Sequence, residues 1–185
     1  MRLACFTTVL FAALAVAEAP KAPPAPAKSV DVILDGLKSS TPSTWVQEKP
    51  ANNLRPYQFR LPHANGDKND AVLFVLDTIR GTPEENIANW KDVFILPANM
   101  PKDKSVRRFE IKNAKATLTC LDVQGTYHVK DKPIDQAVKE VRPDYRLIGA
   151  VWVSKDARLT IRLIGPKTTV EGHAKAFEQW LRNFK

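Results

Sequence analysis

Beyond the N-terminal apolar run, one stretch of the chain holds a cysteine. LTCLDVQGTYHV, residues 118–129, contains Cys120, and His128 follows eight positions later. A thiol and an imidazole make a nucleophile–base pair when the fold brings them within hydrogen-bond reach. The local pattern favours a different reading. In KATLTCL, Lys115, Thr117 and Thr119 alternate with Ala116, Leu118 and Cys120, so the cysteine points with the apolar set. A thiol among apolar neighbours has a raised pKa and stays unreactive. Gly125 is expected to break or turn the strand before His128. Cys120 therefore reads as packing. The other cysteine, Cys5, lies in the N-terminal apolar run, so no internal disulfide is expected in the domain.

Other chemistries find less support. His63, His128 and His173 lack metal-ligand spacing, so no metal or cofactor is expected. NGDKND, residues 65–70, carries oxygen side chains but not in the order of a calcium loop, and Asn65-Gly66 reads as a hairpin turn. Asp122 continues the apolar side of its strand. It is expected either to be turned out by a bulge or to bond Tyr127 or Arg142. It has no second carboxylate for glycosidase-type catalysis. No glycine-rich phosphate loop and no G-x-S-x-G occurs. A hydrolase-type site near Asp122, Tyr127, His128 and a 128–146 loop is the alternative to a non-enzymatic role.

Basic residues are the stronger signal. The formal charge is +8 and the isoelectric point about 9.6, which favours anionic partners. Arg108, Lys112 and Lys115 follow one another, and Arg158 and Arg162 take the polar side of RLTIRLI. These five are expected to face solvent and to form one patch if their strands are neighbours. No interleaving of aromatic and basic residues of the kind single-strand binders use is present, so nucleic acid is not the expected partner. HVKDKPIDQAVKEVRPDYR, residues 128–146, shows no periodicity. It reads as a long loop, of a length often tied to function, that carries Arg142 and Tyr145.

The elements that must position these residues follow from pattern. VDVILDGL (30–37), STWVQEK (43–49) and RPYQFRL (55–61) read as strands, with KSSTPS as a turn cluster. AVLFVLDTI (71–79) is apolar on both alternating faces, as in a central strand covered on both sides. Thr82 as N-cap, Pro83 at the first position and Glu85 closing a capping box open a helix in which Ile87, Trp90 and Phe94 share a face. Strands follow at 106–112, 115–123, 145–154 and 158–164. A last helix begins after Gly165-Pro166, with a second capping box expected from Thr168 and Glu171 and an apolar stripe from Val170 to Phe184. The sum is an α+β domain with a mainly antiparallel sheet and two amphipathic helices.

The N-terminus carries an address. Arg2 precedes an apolar run, Leu3 to Val16, and Ala15-Val16-Ala17 fits signal-peptidase cleavage after Ala17. Residues 1–17 read as a signal peptide and 18–29, rich in Pro and Ala, as an extended linker. Residues 30–185 make one domain, a size that can bury a substantial core unaided. The expected location is periplasmic or secreted, with no integral membrane span in the mature chain.

Several phrases form a distinctive set: TWVQEKP, FRLPHANGDKNDA, NIANWK, LDVQGTY, RPDYRLIGA and, near the end, LIGP and FEQWL. Over about residues 30–185 the chain resembles small exported bacterial proteins of planctomycete type that have no assigned activity. Its element pattern is similar to the PsbP/Mog1-like fold, an antiparallel sheet between helices. The resemblance implies a module that binds or stabilises a protein or an anionic envelope component, and it supplies no catalytic residues.

Overall fold

The computed structural model describes residues 28–64, 66–77, 79–130 and 136–185. The expected signal peptide and nearly all of the expected linker lie outside the described residues. Among those residues the chain forms an antiparallel sheet with helices on both faces.

The first departure from expectation comes at once. Residues 30–37 are not one strand but a hairpin, with β1 (Asp31–Leu34) pairing β2 (Leu37–Ser40). Asp35 and Gly36 both take positive φ, 53° and 75°, the geometry that a two-residue Asp-Gly turn favours. Part of the expected turn cluster is therefore β2. Two short edge segments follow, β3 (Val46–Gln47) and β4 (Tyr57–Leu61), then β5 (Ala71–Asp77). Helix α1 (Pro83–Asp92) starts as expected. Glu85 N–H donates to Thr82 Oγ1 at 3.2 Å, and Thr82 N–H donates to Glu85 Oε2 at 2.7 Å. It ends earlier than expected, because Phe94 belongs to a two-residue strand, β6 (Phe94–Ile95).

One helical turn, α2 (Lys102–Ser105), leads into β7 (Val106–Lys112). The long strands β8 (Thr117–Val129) and β9 (Glu140–Val153) come next, then β10 (Arg158–Pro166) and α3 (Lys167–Arg182). The sheet runs β3-β4-β5-β10-β9-β8, and β6 and β7 share the outer edge of β8.

Strands β8 and β9 both run further than their sequence patterns indicate. The strand does not end at Gly125. It continues with a bulge between Gly125 and Tyr127, and His128 pairs with Val141. Gly125 lets a neighbouring backbone approach instead, since a Cβ there would strike the carbonyl of Ile95 in β6. The expected 128–146 loop is accordingly shorter. Strand pairing extends to Val129 and Glu140, so residues 128, 129 and 140–146 belong to the sheet. Pro143 sits within β9 at the bulge, beside Asp144 with φ 53°, where a missing N–H is tolerated.

The sheet separates two cores. On one face α3 lays Phe177, Trp180 and Leu181, with Phe184 just beyond its end, against Trp45, Phe59, Leu163 and Trp152. Trp180 meets Trp45 and Phe184 edge-on, at 5.6 and 5.1 Å between centroids. Cys120 is 1% exposed within this core. The other face is covered in part by α1, whose Ile87 and Trp90 join Phe94, Leu121, Val123, Leu147 and Val151. Gly149 makes the fit, because a Cβ there would overlap the Trp90 ring.

The capping box expected for the last helix does not form. Pro166 is the N-cap, and it has no side-chain cap bond. The 62–70 connection supplies the cap, with Thr169 donating to Asp67 Oδ2 through its N–H at 2.8 Å and its hydroxyl at 2.6 Å.

Candidate functional site

Helix α1 covers only part of its face of the sheet. Beside it lies a cavity of about 410 Å³, with a floor formed by β5, β10, β9 and β8. Strand alternation sends Phe74, Arg162 and Tyr127 into it from three different strands. Trp90, held flat by Gly149, forms the wall toward α1. Arg55 reaches in from just before β4. Val72, Leu76, Leu147 and Ile164 supply apolar surface.

The two arginines are packed against rings. The Arg55 guanidinium carbon lies 4.0 Å from the Phe74 centroid, and that of Arg162 lies 5.8 Å from Phe74 and 4.7 Å from Trp90. The Nε of each is buried without a hydrogen-bond partner among the described residues. Arg55 Nη1 donates to Gln58 at 2.9 Å. Neither arginine has a carboxylate partner among the described residues. Asp70 borders the cavity, but Arg60 at 2.8 Å and His63 at 2.6 Å already engage it. Arg142 is held by Glu140 at 2.6 Å.

The electrostatics follow from this. Burial pushes the Arg162 guanidinium down to about 10; the Tyr127 phenol opposes the shift and the nearby Arg55 charge adds to it. Burial likewise lowers Arg55, again opposed by Tyr127. Burial raises the Tyr127 phenol, against the fields of Arg162, Arg142 and Arg55. Three cationic groups thus converge on one phenol in a partly dry pocket. Behind Tyr127, the rings of Phe94 and Tyr145 stack on it at 5.2 and 6.1 Å.

Of the residues singled out from sequence, the cavity brings together Tyr127, His128, Arg142, Tyr145 and Arg162. It does not gather the rest. The single basic patch expected from Arg108, Lys112, Lys115, Arg158 and Arg162 does not form. Strands β8 and β9 separate β7 from β10. Arg108 and Lys112 are exposed on β7, and Arg158 donates to the Gly81 carbonyl at 2.6 Å. Lys115 bridges Asp35 at 2.9 Å and Asp156 at 3.3 Å. Arg162 does not face open solvent; it lines the cavity beside α1, 4.7 Å from the Trp90 ring.

Asp122 is on the opposite face. It bonds neither Tyr127 nor Arg142. Arg146 grips it through Nε and Nη2, both at 2.8 Å, and Arg107 adds a contact at 3.4 Å, itself tied to Glu178 of α3. An acid–imidazole site from Asp122 and His128 is therefore not assembled. Cys120 shares the Asp122 face, and burial, with a smaller push from Glu178, raises its thiol to about 12. Among the described residues, no cluster of three or more His, Cys, Asp or Glu is placed to hold a metal ion.

Sequence reasoning missed Arg55, Phe74 and Trp90 as site residues. Arg55 is a lone charge before Pro56, and nothing local marks it. It reaches the site because β4 and β5 are neighbours.

No protein-family model matches the chain, and no curated protein matches it. Among solved structures, a Pseudomonas aeruginosa protein of unknown function is similar at 16% identity and a TM-score of 0.44, covering 83% of this chain and 94% of its own. The cyanobacterial PsbP of Synechocystis is similar at 12% identity and a TM-score of 0.45, covering 91% and 97%. Neither supplies a residue role for this chain. Among the described residues no helix is long and apolar enough to cross a membrane.

Proposed function

We propose that this protein is an exported, non-enzymatic binding module whose cavity holds an anionic group. The observation that supports this reading is the pair Arg55 and Arg162, drawn into an aromatic-walled cavity with no carboxylate partner among the described residues. Burying a cation without a counter-charge is costly. An entering anion removes that cost, and a preformed concave site with a few polar groups is the usual form of a small-ligand pocket. The cavity favours an anionic envelope component over a protein surface, because the charges lie at its floor and not on an exposed patch. The leader-like N-terminus supports export to the periplasm or beyond.

Calorimetric titration at low salt tests the reading. Organic and inorganic anions should bind the native chain and release heat, while Arg162→Gln and Arg55→Gln should each weaken binding about tenfold or more with the fold intact by circular dichroism. Equal binding of matched anions and cations would overturn it. N-terminal sequencing of protein from its host tests export, with a start at Glu18 expected.

A further inference from the structure

We infer that the cavity takes an aromatic carboxylate, a flat one- or two-ring acid, which rests on the anion-binding reading and gives the anion a body. An inorganic anion would meet the charge but leave the half-buried Val72, Leu76 and Ile164 facing water. The volume of about 410 Å³ is near the lower end for organic ligands, which suits a compact molecule. Phe74, Trp90, Tyr127 and Tyr145 all border the space, so a planar body has ring faces and edges to meet.

The head group follows from the arginines. Each guanidinium rests on a ring, 4.0 Å from Phe74 for Arg55 and 4.7 Å from Trp90 for Arg162. The rings fix both planes; Arg55 Nη1 is engaged by Gln58, which leaves Arg55 Nη2 and the Nη atoms of Arg162 as donors for a ligand. A planar carboxylate matches the planar edge of a guanidinium and shares its charge with two oxygens. Tyr127 lines the same cavity as Arg162, Arg142 and Arg55, and its hydroxyl supplies a further donor there.

The full chain is titrated calorimetrically with 2-naphthoate, octanoate, inorganic phosphate and 2-naphthylmethylamine at matched ionic strength. The expected order is 2-naphthoate tightest, octanoate and phosphate each weaker by about tenfold or more, and the amine without measurable heat. Arg162→Gln and, independently, Arg55→Gln should each weaken 2-naphthoate by about tenfold. Two variants guard against one failing to fold. Phosphate binding as tightly as 2-naphthoate overturns the aromatic body and leaves the anion reading standing. So does octanoate binding as tightly. The amine binding as well as the acid, or no probe binding, overturns both.

Discussion

Arg162 shows how a residue can serve a site at the expense of the fold. Its Nε has no partner, and burial brings its pKa to about 10. Replacing a poorly compensated buried charge by an apolar side chain of similar length is often stabilising. Arg162→Met should therefore raise the unfolding free energy by about 1 kcal/mol in chemical denaturation while abolishing anion binding. Loss of stability together with binding would mean that the guanidinium holds the sheet together and is not a site residue. Cys120 makes the contrasting case. With its thiol raised to about 12 by burial, it carries almost no thiolate at neutral pH. A thiol reagent should label the native protein only at the rate of global opening and the denatured protein at once. Its role was legible in the sequence, because the alternation of Thr117, Leu118, Thr119 and Cys120 is local. The role of Arg162 was legible only in part. Alternation placed it opposite the α3 core, but nothing local could tell that α1 covers that face as well.

At the scale of elements, what was readable was what the chain encodes within a few residues. Thr82, Pro83 and Glu85 announce α1 because cap, first-turn proline and box lie within four positions. The Asp35-Gly36 turn was equally local, yet apolar residues on either side disguised two strands as one. The cap of α3 could not be read, because its acceptor, Asp67, is 102 residues away in sequence from Thr169. Asp67→Ala should cost about 1 kcal/mol, as loss of an N-cap does, and should increase amide exchange in the first turn of α3. An unchanged midpoint would show that water replaces the carboxylate. Gly125 has a larger task. A methyl group there would force the Ile95 carbonyl off β8, and with it Phe94, which stacks on Tyr127. Gly125→Ala should destabilise by about 2 kcal/mol and weaken ligand binding through Tyr127.

At the scale of the molecule, ion pairs tie segments that are remote in sequence, and the response to acid follows from them. The hairpin turn at Asp35 is fastened to the β7–β8 connection by Lys115 and to β9 by Trp152 Nε1 at 3.2 Å. The chain end closes on the same hairpin, Lys38 N–H to Lys185 carbonyl at 2.9 Å and Lys185 N–H to Lys38 carbonyl at 3.2 Å. Burial alone would raise the Asp35 carboxyl, but hydrogen bonds from Lys115, Ser154 and Trp152 outweigh it and leave the pKa below the ordinary 3.8. Asp70 behaves in the same way. Burial raises it, bonds from Arg60 and His63 lower it more, and the result again lies below 3.8. A carboxyl whose pKa is depressed in the folded state binds protons more readily when unfolded. Its contribution to stability is then complete above the unfolded value and is lost as pH falls through the folded value. Thermal unfolding should therefore show a midpoint that these two groups leave unchanged above about pH 5 and that drops steeply below about pH 4. In the double variant Asp35→Asn, Asp70→Asn the midpoint at pH 7 should be lower, because the charge-assisted bonds are gone. Its acid slope should be shallower, because two of the groups that link folding to protonation are gone as well. An acid slope unchanged from the wild type would place the linkage in other carboxylates and leave Asp35 and Asp70 with local roles only.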